Sequence, residues 1–320
     1  LIVSTAALIN LTAIEVQSLP IPTPREGEVL VKVDSSPINP SDLNFIAGKY
    51  PAPKPHPCVP GFEGSGTVIE SGEGATACSL LGKRVAFTAD SSSFYGSWAE
   101  YLTTKTENCY VLADDVTLEE GSYYNINPLT VVMFLKLISQ GHHQAVVQNA
   151  AASALGKMLI KSLRRLNIPL VNIVRRQEQA NTLKDLGAEY VLDSSQEGFS
   201  EKLRELSCQL KATVGFDCIG GEETGVMFNA LPAGGLVYVY GVLSGRPASG
   251  LNIRDFISFG KQVKGAWKPA WFNTLSAEER REALDTVQQY IKTDFSSEVA
   301  TRFSLEEINE ALTHYRANMP

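Results

Sequence analysis

Residues 145–156 read Ala-Val-Val-Gln-Asn-Ala-Ala-Ala-Ser-Ala-Leu-Gly, and residues 170–177 read Leu-Val-Asn-Ile-Val-Arg-Arg-Gln. Each begins as a short apolar run. The first run ends in a turn of small residues and the second ends on two arginines. The same alternation continues downstream. Strands are predicted at 145–149, 170–174, 190–192, 213–218 and 235–240, with helices at 153–166, 177–186, 199–210 and 222–231. Alternating β and α segments of this length predict an α/β fold with a doubly wound parallel sheet. The run Leu170–Val174 is apolar except for Asn172, as a strand covered on both faces requires. Pro169 suits the start of such a strand, where no ladder donor is needed.

The turn from Gln148 to Gly156 carries the first functional signal. A dinucleotide needs small residues there, so that the backbone can approach a pyrophosphate over a helix N-terminus. Strict GxGxxG is absent and only Gly156 remains, but Ala150, Ala151, Ala152, Ser153 and Ala154 keep the turn small. A tight helix–strand contact without ligand would use the same residues. The next strand sharpens the choice. An acidic residue at its end would accept from a ribose 2′-hydroxyl, whereas Arg175 and Arg176 can pair with a 2′-phosphate. The expected nucleotide is therefore NADPH, unless the two arginines are only solvated surface charges.

Outward from this core, 320 residues suit two domains or one large one. Hydrophobic residues at 44% allow a sizeable core. A formal charge of −7 without a basic run disfavours nucleic acid as a partner. No apolar stretch approaches the roughly 18 residues of a membrane span. Five cysteines, with no CxxC pair, argue against a disulfide framework and a closed zinc site. They favour a reducing compartment. The expectation is cytoplasmic, with a mitochondrial location as alternative because the chain starts at Leu1. No GxSxG, HExxH or Walker loop occurs. His56, His142, His143 and His314 show no partner spacing and are read as surface residues.

The first third predicts a β-rich domain. Strands are expected at 28–36, 66–70, 84–88 and 98–103, with a stiff loop from Pro37 to Pro60 in which five of residues 51–60 are prolines. A helix is expected from Glu119 to Ser139. In the tail, Ser276-Ala-Glu-Glu279 and Ser304-Leu-Glu-Glu307 match the capping box, which predicts two more helices.

Six segments stand in an order that resembles the medium-chain dehydrogenase/reductase superfamily over nearly the whole chain. They are Ile38-Asn-Pro-Ser-Asp42, Pro60-Gly-Phe-Glu-Gly-Ser-Gly-Thr-Val68, Gly82-Lys-Arg-Val85, Gly96-Ser-Trp-Ala-Glu-Tyr101, the 148–156 loop and Leu186-Gly-Ala188. The resemblance implies a β-rich, partly barrel-like (GroES-like) catalytic domain from residues 1–122 and 263–320. A Rossmann domain for NADPH would lie between them, at 123–262. It also implies a homodimer.

Within the superfamily the chain resembles the zinc-free branch. Zinc-dependent members carry Cys where Asn39 stands and His where Phe62 stands, and neither replacement supplies a zinc ligand. Asn44-Phe-Ile-Ala-Gly-Lys-Tyr50, Asn127-Pro-Leu-Thr130, Gln148-Asn-Ala-Ala151 and Lys264-Gly-Ala-Trp-Lys-Pro-Ala-Trp271 are most similar to 2-enoyl thioester reductases, then to quinone oxidoreductases. That resemblance implies Tyr50 as proton donor. It implies cofactor contacts from Asn39, Asn127, Thr130, Ala152, Ser153, Ala154, Leu155, Arg175, Arg176, Tyr240, Gly241, Val242, Ala266 and Trp267, and no metal. Ala154 departs from the glycine usual in the family. The strand that usually follows the last helix is also missing beyond Pro320.

Without a metal Lewis acid, the substrate must carry its own activation. A carbonyl conjugated to C=C does so, because negative charge moves to oxygen as an enolate. A free tyrosine titrates near pH ~10, so Tyr50 is an available acid. Bland readings stand beside these: Tyr50 as packing, Asn39 as an Asx turn before Pro40, Trp267 and Trp271 as core aromatics. The expected activity is NADPH-dependent reduction of an activated alkene, a small-molecule substrate. The alternatives are an NADPH:quinone oxidoreductase and a non-catalytic NADPH-binding redox sensor.

Overall fold

The structure, a computed structural model, describes residues 3–10, 13–51, 57–90 and 93–319. The expected surface residue His56 lies outside them. Contacts divide the chain into two units. One holds Leu1–Leu129, Leu284–Lys292 and Ser296–Met319, and the other Thr130–Ala283 and Thr293–Phe295.

The first unit opens with an antiparallel hairpin of β1 (Val3–Asn10) and β2 (Ala13–Pro20). Then come β3 (Glu28–Ser35), α1 (Pro40–Ile46), β4 (Glu63–Ser71), α2 (Ala75–Ser79), β5 (Arg84–Thr88), β6 (Tyr101–Lys105), β7 (Cys109–Val111) and α3 (Leu118–Ser122). Five strands form one antiparallel sheet in the order β6-β3-β4-β5-β7. Val29, Val31, Val68, Val85, Phe87 and Leu102 fill its core. Leu30 is also buried, which breaks the expected alternation of β3. α3 packs over β3, β4 and β5 around Ser65, so that end of the sheet is covered on a second face as well.

Three local expectations are corrected. The segment 37–60 is not all loop, because α1 lies within it. Pro40 occupies the start of the helix, where the missing N–H costs nothing, and Asn39 is the N-cap. The single helix expected over 119–139 is two helices, α3 and α4 (Asn127–Gln140). Between them the amides of Asn125 and Ile126 donate to the Glu63 carboxylate instead of to carbonyls one turn back. The expected strand at 98–103 also begins later, at Tyr101, because Ser97 and Trp98 donate to the carbonyls of Gly61 and Pro60.

The second unit matches the predicted alternation closely. After α4 come β8 (Ala145–Gln148), α5 (Ala154–Arg165), β9 (Leu170–Val174), α6 (Gln177–Asp185), β10 (Tyr190–Asp193), α7 (Phe199–Leu210), β11 (Ala212–Asp217), α8 (Glu222–Ala230) and β12 (Leu236–Val239). The sheet continues through α9 (Ile253–Phe259) to a sixth strand, β13 (Gln262–Gly265), followed by α10 (Lys268–Thr274) and α11 (Ala277–Tyr290). All pairs are parallel, in the order β10-β9-β8-β11-β12-β13. Counted within the sheet this is 3-2-1-4-5-6, the Rossmann order. The expected second domain ended at residue 262, one strand short of this sheet.

Both capping boxes form. Ser276 Oγ accepts from the Glu279 amide at 3.2 Å, and the Ser304 amide donates to Glu307 Oε2 at 2.7 Å. The second leads through a single tight turn into α12 (Ile308–Ala317), whose Ile308 and Leu312 pack with Trp98 in the first unit.

Candidate functional site

In the second unit the strand order reverses between β8 and β11, and ligands of such sheets bind beyond the carboxyl ends of the strands there. The loop after β8 is held in a shape that ordinary residues rarely adopt. Ala150 has φ +46°, in the left-handed region, and Ser153 closes the turn by donating its amide to the Ala150 carbonyl at 2.9 Å. Ser153 is the N-cap of α5, its Oγ accepting from the Gly156 amide at 3.1 Å. The first-turn amides of Ala154 and Leu155 have no carbonyl one turn back, which leaves donors for an anion. Gly156 is required because a Cβ there would stand 2.4 Å from the Ala151 carbonyl oxygen. A pyrophosphate fits this cradle: small side chains, a capped helix start and open amides.

The other wall follows β11. Asp217 is fully buried. Its Oδ1 accepts from Asn149 Nδ2 at 2.5 Å and from the amides of Ile219 and Gly220 at 2.8 and 3.0 Å. Its Oδ2 accepts from Thr224 Oγ1 at 2.5 Å. Asn149 Oδ1 in turn accepts from the Cys218 amide at 2.9 Å. One carboxylate thus fixes both loops at the switch point. Neither Asn149 nor Asp217 was expected from sequence. The available signal was their place, each at the end of a predicted strand beside a run of small residues.

The remaining expected positions of this unit lie at the same edge of the sheet. Arg175 and Arg176 follow β9 and are exposed. Tyr240, Gly241 and exposed Val242 follow β12, and Ala266 and Trp267 follow β13. Trp267 is 45% exposed, so it is not a core aromatic. Thr130 and Leu155 are buried, and Ala152 and Ala154 line the loop and the start of α5. The Tyr240 hydroxyl lies beside the Cys218 thiol. Burial pushes that thiol up to about 12, so Cys218 stays protonated at neutral pH.

In the first unit Phe62 sits among aromatic rings. Its ring lies 5.4 Å from Phe45, edge to face, and 5.0 Å from Tyr50. Buried Cys58 and the Phe94 ring complete the cluster. Asn39, 4% exposed, donates Nδ2 to Glu63 Oε1 at 3.0 Å. Asn127 begins α4 directly after the two amides that Glu63 holds. These residues do not fit a zinc ion. An amide tied to a carboxylate and a phenyl ring stand where a thiolate and an imidazole would be needed. Among the described residues, no three His, Cys, Asp or Glu side chains converge as a metal site.

His142 and His314 are exposed as expected. His143 departs from expectation. It is half-buried, with Nδ1 2.7 Å from Thr213 Oγ1, and desolvation lowers its pKa.

Comparison with known proteins agrees with this geometry. Residues 25–114 match the family described as alcohol dehydrogenase GroES-like domain, and residues 154–289 match that described as zinc-binding dehydrogenase. The chain is 30% identical over 287 residues to the mitochondrial enoyl-[acyl-carrier-protein] reductase of Arabidopsis thaliana, covering 88% of this chain and 73% of the relative. It is 31% identical over 269 residues to the Caenorhabditis elegans protein of the same name, covering 82% and 74%. Among solved structures, a Mesorhizobium loti protein assigned as an NADPH:quinone reductase superposes with TM-score 0.88 at 32% identity, over 97% of this chain and 96% of that one. A mitochondrial 2-enoyl thioester reductase heterodimer from Candida tropicalis shares the fold, with TM-score 0.82 at 22% identity, over 99% and 98%.

Proposed function

The chain belongs to the medium-chain dehydrogenase/reductase superfamily, in its branch of enoyl thioester and quinone reductases, and we propose that it reduces the C=C bond of a 2-enoyl thioester with NADPH. The observation that carries this reading is the Phe62–Tyr50 contact. Where a metal ligand would stand there is a phenyl ring, and against it an acid side chain.

The first unit is the substrate domain and the second the nucleotide domain. The turn from Ala152 to Leu155 would hold the pyrophosphate, and Arg175 with Arg176 the 2′-phosphate. Tyr240–Val242 and Ala266–Trp267 would border the nicotinamide half, with Asn39, Asn127 and Thr130 as further contacts. NADPH, when bound, supplies a hydride to an electron-poor carbon. Tyr50 gives its proton to the enolate carbon of the substrate, which completes saturation of the double bond. Hydrogen bonds aimed at the thioester oxygen would stabilise the charge that gathers there.

A quinone is the second reading, favoured by the likeness to the Mesorhizobium loti protein. Its product oxygen can take a proton from water, so it needs Tyr50 less. The test is NADPH oxidation followed by absorbance, first with a 2-enoyl thioester and then with a quinone. Faster turnover of the thioester, with saturated acyl product, supports the first reading. Thermal stabilisation by NADPH without oxidation of either would leave a binding protein.

The proposed oligomer is a homodimer. The parallel sheet ends in β13, an unpaired edge whose residues are mostly exposed. Beside it in sequence, α9 exposes Ile253, Phe256, Ile257 and Phe259. An open edge next to an apolar face invites pairing. Among the described residues no helix is long and apolar enough to cross a membrane. The mitochondrial names of the relatives support the mitochondrial alternative over a cytoplasmic location.

A further inference from the structure

Glu63 opens β4 and is 1% exposed. Its Oε1 accepts from Asn39 Nδ2 at 3.0 Å, and its Oε2 from the amides of Asn125 and Ile126 at 2.8 and 2.9 Å. An ionised carboxylate can only accept, and three donors converge on it. Taking such a group out of water is costly, and the arrangement persists only while the donors hold their places. The carboxylate therefore dictates where those donors sit.

Each donor leads to a residue of the proposed chemistry. Asn39 is itself one. It is also the N-cap of α1, fixed from the other side by its own amide donating to Asp42 Oδ2 at 2.7 Å. The chain that leaves α1 reaches Tyr50 four residues after Ile46. Asn125 and Ile126 immediately precede Asn127. Phe62, next to Glu63 in the chain, packs on the Tyr50 ring at 5.0 Å. A residue that only closed the end of a strand would not need to gather these three segments.

We propose that Glu63 is a positioning residue for the reduction, its carboxylate fixing Asn39, the turn before Asn127 and, through Phe62, the seat of Tyr50. This rests on the reading of Tyr50 as proton donor. Glu63 does not touch the substrate. It sets the distance over which the Tyr50 proton must travel. Its replacement by Gln keeps the shape but turns an NH2 group toward at least one of the present donors, so Asn39 must turn its own amide over to answer it or that contact opens.

The test is a double-mutant cycle of Glu63→Gln and Tyr50→Phe, using a 2-enoyl thioester at saturating NADPH. Glu63→Gln is expected to lower kcat roughly tenfold to a hundredfold, as when a reacting group is displaced by up to an ångström. NADPH affinity should fall by much less than kcat, since of the proposed nucleotide contacts only Asn39 and Asn127 depend on Glu63, while the pyrophosphate turn and the two arginines belong to the other unit. In the Tyr50→Phe background the same change should cost much less, because there is no longer a proton donor to misplace. If the folded Glu63→Gln enzyme keeps its kcat, or loses the same factor in both backgrounds, Glu63 has no positioning role while Tyr50 keeps its own. An unimpaired Tyr50→Phe enzyme overturns both. Should Glu63→Gln fail to fold, Glu63→Asp replaces it in the cycle, keeping the charge but withdrawing it by one methylene.

Discussion

The ring of Tyr50 lies 5.0 Å from that of Phe62 with an interplanar angle of 40°. The contact uses the ring and not the hydroxyl, so Tyr50→Phe preserves it. Turnover of a 2-enoyl thioester is expected to fall by about 10²-fold or more, the usual contribution of a general acid. Thermal stability and NADPH affinity should stay near wild type, and loss of quinone reduction should be smaller. Steady-state kinetics with both substrates check this, and unchanged thioester turnover would remove Tyr50 from the mechanism.

Asp217 accepts four hydrogen bonds with no exposure to water. Asp217→Ala leaves the Asn149 amide, the Ile219 and Gly220 amides and the Thr224 hydroxyl without their shared acceptor. The expected cost is about 2–4 kcal/mol of folding stability. NADPH affinity should fall as well, because Asn149 and the 218–221 turn lose their common anchor. Urea denaturation and an NADPH titration of the same variant check both halves. Normal stability would mean that the two loops are held by something else.

The burial of His143 has a pH signature. Desolvation, with a smaller contribution from neighbouring His142, lowers its folded-state pKa below the ordinary 6.5. Below about pH 6.5 the unfolded chain therefore binds more protons than the folded one, and stability falls as pH drops toward the folded value. His143→Gln removes this component. The stability difference between wild type and variant should shift against the wild type as pH is lowered from about 7 to about 5. Denaturant midpoints across that range measure it, and parallel curves would contradict it.

Ile257 is 80% exposed on α9. If α9 and the β13 edge form a dimer face, Ile257→Lys should convert a dimer into a monomer without changing the far-UV spectrum. Sedimentation gives the mass directly. An unchanged mass would place any dimer contact elsewhere.

The two halves of the fold were legible to different degrees. The parallel sheet declared itself because each strand is a short apolar run and each helix has its own period, so β9 and α7 have the predicted bounds. The six-strand count was not legible. β13 is only four residues with mostly exposed side chains, and carries no apolar run. In the first unit α1 was hidden by the prolines around it, although Pro40 and Asn39 are a helix start. The gap between α3 and α4 was hidden for a different reason. It depends on a carboxylate about sixty residues away in sequence, which no local pattern reports. The same holds for the site. The small loop, Arg175 and Arg176, and the missing zinc ligands could be read from residue types. The buried carboxylates Glu63 and Asp217 could not, since their meaning lies in which distant donors they gather.

The most direct test is a calorimetric titration of the purified chain with NADPH and with NADH. NADPH should bind at least about tenfold tighter. Replacing Arg175 and Arg176 together by alanine should weaken NADPH by roughly tenfold to a hundredfold and leave NADH nearly unchanged, since only the former carries the 2′-phosphate. Binding of neither nucleotide, or equal binding that ignores both arginines, would contradict an NADPH-dependent reductase.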